Sequence, residues 1–345
     1  MRSWLGGRSR AWSAVFAVVA AVASAASLAA CTPGRDAAEP RGSVGVSASA
    51  SVTASPGGSA GATPGTATVV SRERVGERGY DLVVRSPVLG RKTPVRVLLP
   101  EGWRPGSGPW PVLYLLQGCC AGPAEGWVGH PETERHTARA RMIVVVPEGG
   151  RAGFYSDWLD GPAWETYHIG ELIPLIEREY GAGPRRAIAG FSMGGLGAMT
   201  YAARHPGMFQ AAASYSGVLD TGYAREGLRE LIRTQGEDPD DLWGDPIRQA
   251  AIWSAHNPAE LTDALRGVRL YVSAGNGRPG PLDPPGARSD SESVQLRQSR
   301  NFAERARASG ADLTTDFYGD GTHTWPYWAR ALERSLPLLR EAIGA

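Results

Sequence analysis

A serine between two glycines is the first pattern in this sequence that could do chemistry. Gly190-Phe191-Ser192-Met193-Gly194 fits GxSxG, and it lies where an apolar run passes into a helix-like run rich in Ala and Met. A sharp strand-to-helix turn brings the flanking backbones together and leaves no room for Cβ atoms at the two glycines. The turn presents the serine hydroxyl at a helix N-terminus, whose dipole stabilises negative charge. The pattern predicts a nucleophile, and the alternative is an ordinary serine N-cap.

A serine hydroxyl needs a base, and the base needs an orienting acid. Where the nucleophile follows such a turn, the chain order is Ser, acid, His. His323 fits best among the six histidines, because it follows the strand-like run LTTDFYG and precedes the last helix. Three carboxylates could be the acid: Glu292 and Asp290 follow RLYVSAGNG, and Asp220 ends SYSGVLD. Their spacing alone does not rank them.

Two backbone amides are expected to form an oxyanion hole. One is that of Met193, next to the nucleophile, and the other is that of Cys119, which follows the apolar run LYLLQG. Cys119 would act through its backbone, since no base is identified beside its thiol. Adjacent cysteines close only a strained ring, so Cys119 and Cys120 are expected to be two largely buried thiols rather than a disulfide.

Aromatic and polar residues in the loops around this site are candidates for substrate contact. Trp127, Trp158 and Trp325 could pack an acyl chain or stack on a sugar face, although core packing is the commoner use of tryptophan. Asp157, in the stretch FYSDW, could add polar contacts. The sequence shows no metal-ligand spacing and requires no cofactor.

The elements that must position these residues alternate between strand-like and helix-like runs. YDLVVRS and TPVRVLL alternate in hydropathy and predict outer antiparallel strands. Nearly continuous apolar runs predict strands covered on both faces, as in a parallel sheet: PVLYLLQG, MIVVVPEGG, RRAIAGFS, AAASYSG and RLYVSAGNG. We therefore predict an α/β fold with a mostly parallel central sheet and helices on both faces, and a site at the carboxyl ends of the strands.

The N-terminus predicts export. Three arginines within the first ten residues precede an uncharged Ala/Val-rich stretch, and Leu28-Ala29-Ala30-Cys31 resembles the bacterial lipobox, in which the cysteine is acylated after cleavage. Residues 1–31 are thus predicted to be a signal peptide with a lipidated Cys31. An uncleaved anchor and simple secretion are the alternatives.

A linker and one folded domain are predicted after this segment. Residues 32–70 are Ser, Thr, Ala, Gly and Pro with almost no large apolar side chain, which predicts a disordered tether. Residues 71–345 are predicted to form the catalytic domain. With 36 Lys+Arg against 35 Asp+Glu and no run of like charge, nucleic acid is not expected as a partner.

Seven blocks, in order, resemble the antigen 85 mycolyltransferases and the wider esterase D family of α/β hydrolases. The blocks are LYLLQGCC, VVVPEGGRAGFYSDW, WETYHIGELIPLIEREYG, GFSMGGLGAM, WGDPIRQAAIWSAHNPAEL, LYVSAGNG and GDGTHTWPYW. The likeness runs from about Arg85 to the C-terminus. It implies an α/β-hydrolase fold, Ser192 as nucleophile, His323 as base and Glu292, over Asp290, as the acid. It also implies the amide of Cys119 as an oxyanion donor.

The chain departs from the mycolyltransferase pattern beside that donor. The family's acid and arginine, which help to hold trehalose there, are replaced by Gln117 and Cys120. The departure favours a plain esterase, or a transferase with another acceptor, over trehalose recognition. Gln117 is kept as a candidate for substrate contact.

The sequence predicts an exported serine esterase or acyltransferase tethered by Cys31 to the outer face of the cytoplasmic membrane. Its substrate would be an acyl ester, and water or the hydroxyl of a sugar or alcohol would resolve the acyl-enzyme. The alternatives are a mycolyltransferase-like enzyme, a peptidase, and a surface lipoprotein that uses this fold only to bind.

Overall fold

A computed structural model describes residues 65–120 and 126–345 of the chain. The predicted signal peptide, Cys31 and the linker up to residue 64 lie outside the described residues. Within them, no helix is both long and apolar enough to cross a membrane.

A nine-stranded sheet forms the centre of the described region. Its strands are β1 (Thr68–Val75), β2 (Gly79–Ser86), β3 (Arg91–Leu98), β4 (Trp110–Leu116), β5 (Ile143–Pro147), β6 (Ala182–Phe191), β7 (Ala211–Tyr215), β8 (Arg269–Ala274) and β9 (Leu313–Phe317). Their order across the sheet is β1-β2-β3-β5-β4-β6-β7-β8-β9. The pairs from β5 to β9 are parallel, and β1, β2 and β3 are antiparallel to their neighbours. The predicted mostly parallel sheet with outer antiparallel strands is confirmed.

The sheet begins earlier than the sequence predicts. β1 starts at Thr68, inside the predicted linker, and pairs with β2 along its length. Most of its side chains are exposed. Because β1 lies at the sheet edge and buries little apolar surface, its sequence lacks the alternation that marks the other outer strands.

Helices cover both faces of the sheet. They are α1 (Pro131–Thr137), α2 (Ile173–Tyr180), α3 (Met193–Arg204), α4 (Arg225–Thr234), α5 (Pro239–Trp243), α6 (Ala250–Ala255), α7 (Asp290–Ala308) and α8 (Trp325–Ile343), with a π-helical turn over Thr166–Leu172 and 3-10 turns over Pro258–Glu260 and Thr262–Leu265. Alternate residues of β4 point to opposite faces: Tyr114 lies in the core cluster that includes α3, and Leu113 lies in the cluster that includes α8. This alternation explains why the strand reads as one continuous apolar run.

Three strand ends position the predicted catalytic residues. Ser192 follows β6 directly, Glu292 lies in the first turn of α7 after β8, and His323 lies between β9 and α8. Since β6, β8 and β9 run parallel, their carboxyl ends lie at one edge of the sheet, where sites of open α/β folds form.

Candidate active site

Ser192 occupies a strained turn and does not act as a helix cap. Its backbone has φ 53° and ψ −121°, a region that non-glycine residues rarely adopt. Its amide donates to the carbonyl of Tyr215 at 2.9 Å, which ties the turn to the neighbouring strand. Although Ser192 precedes α3, its side chain makes no capping hydrogen bond. The hydroxyl therefore has no structural role at the helix end.

The two glycines of the motif are required by close backbone approach. A Cβ on Gly190 would lie 2.2 Å from the carbonyl oxygen of Gly194, and a Cβ on Gly194 would lie 2.3 Å from that of Leu116. Contacts this short force the backbone apart. Both glycines therefore let β6 turn sharply into α3, as predicted from the GxSxG pattern.

Glu292 and His323 form a buried pair beside this turn. Oε2 of Glu292 lies 2.7 Å from Nδ1 of His323, and the side chains are 0% and 5% exposed. The other carboxylate oxygen, Oε1, accepts hydrogen bonds from Ser216 Oγ at 2.8 Å, the amide of Gly275 at 2.6 Å and Tyr318 Oη at 3.3 Å. The carboxylate is thus fixed through one oxygen and orients the imidazole through the other.

The pKa of Tyr318 is affected by the charge of this carboxylate. Burial raises the pKa of its phenol, and the negative charge of Glu292 raises it further. The phenol therefore stays protonated and remains a donor to Glu292.

The two rival carboxylates have other surroundings. Asp290 is exposed at the start of α7. Asp220 is buried, and it accepts hydrogen bonds from Asn301 Nδ2 at 2.9 Å and from the amide of Tyr223 at 3.2 Å. Neither makes the contact with His323 that Glu292 makes.

Trp328, which the sequence did not single out, packs against His323. The ring of Trp328 stacks on Phe191 at 4.3 Å and meets His323 edge-on at 4.9 Å. Its indole N–H donates to Ser216 Oγ at 3.2 Å. Trp328 therefore places His323 near the residue that precedes the nucleophile. The block GDGTHTWPYW contains both Trp325 and Trp328, and the sequence alone does not indicate which of the two packs against His323.

Ser192, Met193 and Cys119 line one cavity of about 310 Å³. Apolar side chains form most of its wall: Phe154, Met193, Val218, Leu228, Leu231 and Val294. Leu228 and Leu231 come from α4, which lies over this side of the sheet edge. The predicted nucleophile and both predicted oxyanion donors thus meet at an apolar cavity, which suits an acyl chain.

The cysteines beside the cavity differ from the prediction. Cys119 and Cys120 form a disulfide between adjacent residues, so the expectation of two free thiols is wrong. Cys120 has φ 74°, and its amide donates to the carbonyl of Arg151 at 2.6 Å. The loop thus holds a left-handed backbone at Cys120, a tertiary constraint that the residue pair does not reveal.

Three of the predicted substrate contacts make hydrogen bonds within the protein. Trp127 is buried, donates to the carbonyl of Leu116 at 2.8 Å and packs against other aromatic rings. Trp158 is also buried and donates to the carbonyl of Gly153 at 3.1 Å. Asp157 accepts hydrogen bonds from the amide and hydroxyl of Thr166. Each side chain thus helps to hold the fold together, and its contact with substrate stays a prediction.

Gln117 and Trp325 also lie outside the lining of the cavity. Gln117 is buried, and its Nε2 donates to the carbonyl of Pro147 at 3.2 Å. Trp325 is half-buried at the start of α8, stacks on His130 at 3.8 Å and donates towards Glu132 at 3.4 Å. Neither side chain faces the apolar cavity.

A buried histidine lies apart from the pair of Glu292 and His323. His168 bonds Tyr201 Oη at 2.9 Å and the carbonyl of Glu148 at 2.8 Å. Burial lowers its pKa to about 4, so the ring is neutral at neutral pH. Over residues 65–120 and 126–345, no group of three or more His, Cys, Asp or Glu side chains could hold a metal ion.

Comparisons with known proteins show the family to which the chain belongs. The family model described as "Putative esterase" matches residues 86–339. An esterase of Mycobacterium tuberculosis is 34% identical over 255 residues, 70% of this chain and 55% of the relative. This chain therefore spans only about half of that relative's length. The diacylglycerol acyltransferase/mycolyltransferase Ag85A of the same species is 32% identical over 308 residues, 84% of this chain and 88% of the relative.

The solved structure of MPT51 (FbpC1) from M. tuberculosis is similar with a TM-score of 0.65. The identity is 28%, and the match covers 79% of this chain and 99% of that chain. The predicted α/β-hydrolase fold and the resemblance to esterases and antigen 85 proteins are confirmed.

Proposed function

Because the chain belongs to the esterase family whose model matches residues 86–339, we propose that it is a serine esterase or acyltransferase with Ser192 as its nucleophile. Ser192 Oγ attacks the ester carbonyl, and Nε2 of His323 takes its proton. The same nitrogen then delivers the proton to the leaving alcohol. Glu292 keeps the proton of Nδ1 in place and stabilises the imidazolium that forms.

The negative charge of the tetrahedral intermediate requires donors on the opposite side of the carbonyl. The amides of Met193 and Cys119 take this role in the proposal, and both residues line the cavity with Ser192. Removing one such donor typically costs on the order of 3 kcal/mol of transition-state stabilisation. The disulfide to Cys120 belongs to the loop that carries one of these amides.

The observation that carries the proposal is the buried contact between Glu292 and His323 beside a serine with a positive φ. A helix cap needs neither an oriented histidine nor a strained backbone. A fluorophosphonate probe tests the proposal, since it bonds only to an activated serine. Labelling of the wild type and its loss in Ser192→Ala would support the enzyme, whereas an unlabelled, folded wild type would support a binding protein.

Hydrolysis and transfer share one acyl-enzyme and differ in the nucleophile that resolves it. A cavity of about 310 Å³ is at the small end of ligand sites, which favours acyl groups of short or medium length. Product analysis with and without added sugars or alcohols separates the two reactions. New esters would show transfer, and free acid alone would show hydrolysis.

We also propose that the chain is exported and anchored through an acylated Cys31. The support is the arginine-led apolar stretch and the lipobox-like Leu28-Ala29-Ala30-Cys31. Mass spectrometry of the mature N-terminus tests this directly. A terminus other than acylated Cys31 would contradict the anchor.

A further inference from the structure

A disulfide between adjacent residues lies in the loop that carries one of the proposed oxyanion donors. Cys119 and Cys120 form this bond, and Cys119 lines the cavity together with Ser192. Cys119 is 8% exposed, whereas Cys120 is half-buried. The disulfide therefore lies close to the reacting serine, and its more exposed partner is Cys120.

The chain before the disulfide is fixed by other contacts. The amide of Gln117 donates to Tyr155 Oη at 2.7 Å, and the same hydroxyl donates to the carbonyl of Gln117 at 3.0 Å. A Cβ on Gly118 would lie 2.4 Å from the ring of Phe191, so glycine lets the loop pack against the residue before Ser192. These contacts end at Gly118, and the conformation of the next two residues depends on what holds Cys120.

Two features hold Cys120. Its disulfide to Cys119 closes a ring that contains the peptide bond between the two residues, and its amide donates to the carbonyl of Arg151 at 2.6 Å. Its φ of 74° lies in the left-handed region, which is disfavoured roughly five- to thirtyfold for a residue with a side chain. The ring therefore keeps Cys120 in a conformation that an open chain would mostly leave.

The disulfide contributes little to the stability of the fold. A disulfide stabilises mainly by closing a loop of the unfolded chain, and the gain grows with the length of that loop. Adjacent cysteines close the shortest loop possible, so this bond restricts the unfolded chain least. The sequence has one other cysteine, Cys31, which lies outside the described residues. Opening the bond therefore leaves the fold intact, with two neighbouring thiols that can close again.

We propose that the disulfide of Cys119 and Cys120 is a site of reversible reduction by a dithiol, and that its reduction lowers the activity of Ser192. The effect on activity rests on the proposed function. One thiolate of the dithiol attacks Sγ of Cys120, the S–S bond breaks, and Sγ of Cys119 leaves as a thiolate. The second thiolate then attacks the dithiol's own sulfur in the mixed disulfide and releases Cys120 as a thiolate. The dithiol becomes a disulfide, each cysteine thiolate takes up a proton, and the protein has gained two electrons and two protons.

The loss of activity comes from the amide of Cys119. In the reduced protein Cys120 moves mostly to negative φ, and the backbone of Cys119 shifts with it, so its N–H no longer meets the oxyanion. If about one molecule in ten keeps the active conformation, kcat falls about tenfold. Complete loss of one donor, about 10²- to 10³-fold, sets the limit. KM should change little, since the donor acts in the transition state.

Activity is measured on the full chain with Cys31→Ser, so that Cys119 and Cys120 are its only cysteines. The protein is reduced with dithiothreitol, freed of reductant by gel filtration under argon, and assayed with p-nitrophenyl acetate. Alkylation with iodoacetamide followed by intact mass counts the free thiols before and after reduction. We expect reduction to lower kcat about tenfold, with KM within about twofold and Tm nearly unchanged. Reoxidation with diamide should restore kcat.

Two substitutions separate the backbone of Cys120 from the chemistry of its thiol. Cys120→Gly removes the disulfide but adopts a positive φ at no steric cost, so kcat should stay within about threefold of the oxidised protein. Cys120→Ala adds only a Cβ to that variant and should lower kcat about tenfold. Neither variant should respond to dithiothreitol.

Four results would overturn the proposal: a kcat that is equal or higher in the reduced protein, a disulfide that stays closed in excess dithiothreitol, equal kcat in Cys120→Gly and Cys120→Ala, or a loss of activity that follows a loss of Tm. If either variant does not fold, reduction of the Cys31→Ser protein decides the question alone. Failure of the proposed function is separate, because the oxidised protein would then show neither fluorophosphonate labelling nor turnover.

Discussion

Replacing Glu292 by glutamine should abolish most of the activity while keeping the shape of the site. Three donors, from Ser216, Gly275 and Tyr318, converge on Oε1 of Glu292. In the glutamine variant they require an oxygen at that position, so the amide nitrogen must take the position of Oε2. That nitrogen would then face His323 Nδ1 at the present distance of 2.7 Å.

The size of the expected loss of activity follows from the imidazole tautomer that this arrangement imposes on His323. An amide N–H facing Nδ1 needs a lone pair there, so the proton of the imidazole moves to Nε2. An imidazole protonated on Nε2 cannot take the proton of Ser192. The comparable substitution in a serine protease lowers kcat about 10⁴-fold, and at 1.36 kcal/mol per factor of ten this is about 5 kcal/mol.

The assay is steady-state release of p-nitrophenol from p-nitrophenyl esters, with melting temperature as the check on folding. Asp290→Asn is the matched control, because it makes the same chemical change two residues earlier in α7 on an exposed side chain. We expect kcat to fall at least about 10³-fold in Glu292→Gln and to stay unchanged in the control. A folded Glu292→Gln protein within tenfold of the wild type would refute the reasoning.

Three further predictions concern the surroundings of the site and the core. Ser216→Ala removes one donor to Glu292 and the partner of the Trp328 indole. It should lower kcat by about tenfold, as expected for a hydrogen bond to a charged group. Single-turnover measurements that show no change would exclude a role for Ser216 in orienting Glu292. Leu231→Trp should narrow the apolar cavity, so that kcat/KM falls more for long than for short p-nitrophenyl esters. An equal fall in kcat/KM at every chain length would contradict the assignment of this cavity to the acyl group. His168 should make the protein acid-sensitive: its pKa is about 4 when folded against 6.5 ordinarily, so stability is complete above pH 6.5 and is lost as pH falls towards 4. Between about pH 7.5 and pH 5 the loss in the free energy of unfolding amounts to about 2 kcal/mol. Urea unfolding of the wild type and of His168→Gln measures it. An equal pH dependence of the two proteins would contradict the prediction.

The residues of the proposed triad could be named from the sequence because each has a local or ordered signature. Ser192 lies in a motif whose glycines are required by backbone contacts of 2.2 and 2.3 Å. His323 lies in the loop before the last helix, where the chain order of such triads places the base. Glu292 could not be ranked above Asp290 by spacing, because one turn of helix contains both. The burial of Glu292 and its contact with His323 depend on the tertiary structure.

The wall of the cavity and the roles of the tryptophans could not be predicted in this way. Leu228 and Leu231 carry no motif, and they reach Ser192 only through the packing of α4. Trp127 was expected at the rim of the site, yet it is buried. A tryptophan in a loop after a strand can either pack in the core or line a binding site, since tertiary packing decides whether its ring meets solvent. The disulfide of Cys119 and Cys120 likewise depends on a backbone turn that residue types do not encode.

The most direct test of the central claim is the intact mass of a soluble form, beginning near the first strand, after rapid mixing with a p-nitrophenyl ester. Wild type and Ser192→Ala are compared under the same conditions, and peptide mapping locates any added mass. We expect a burst of p-nitrophenol and an acyl group on Ser192, both absent from the variant. An acyl group on another residue, or turnover that survives in folded Ser192→Ala, would contradict it.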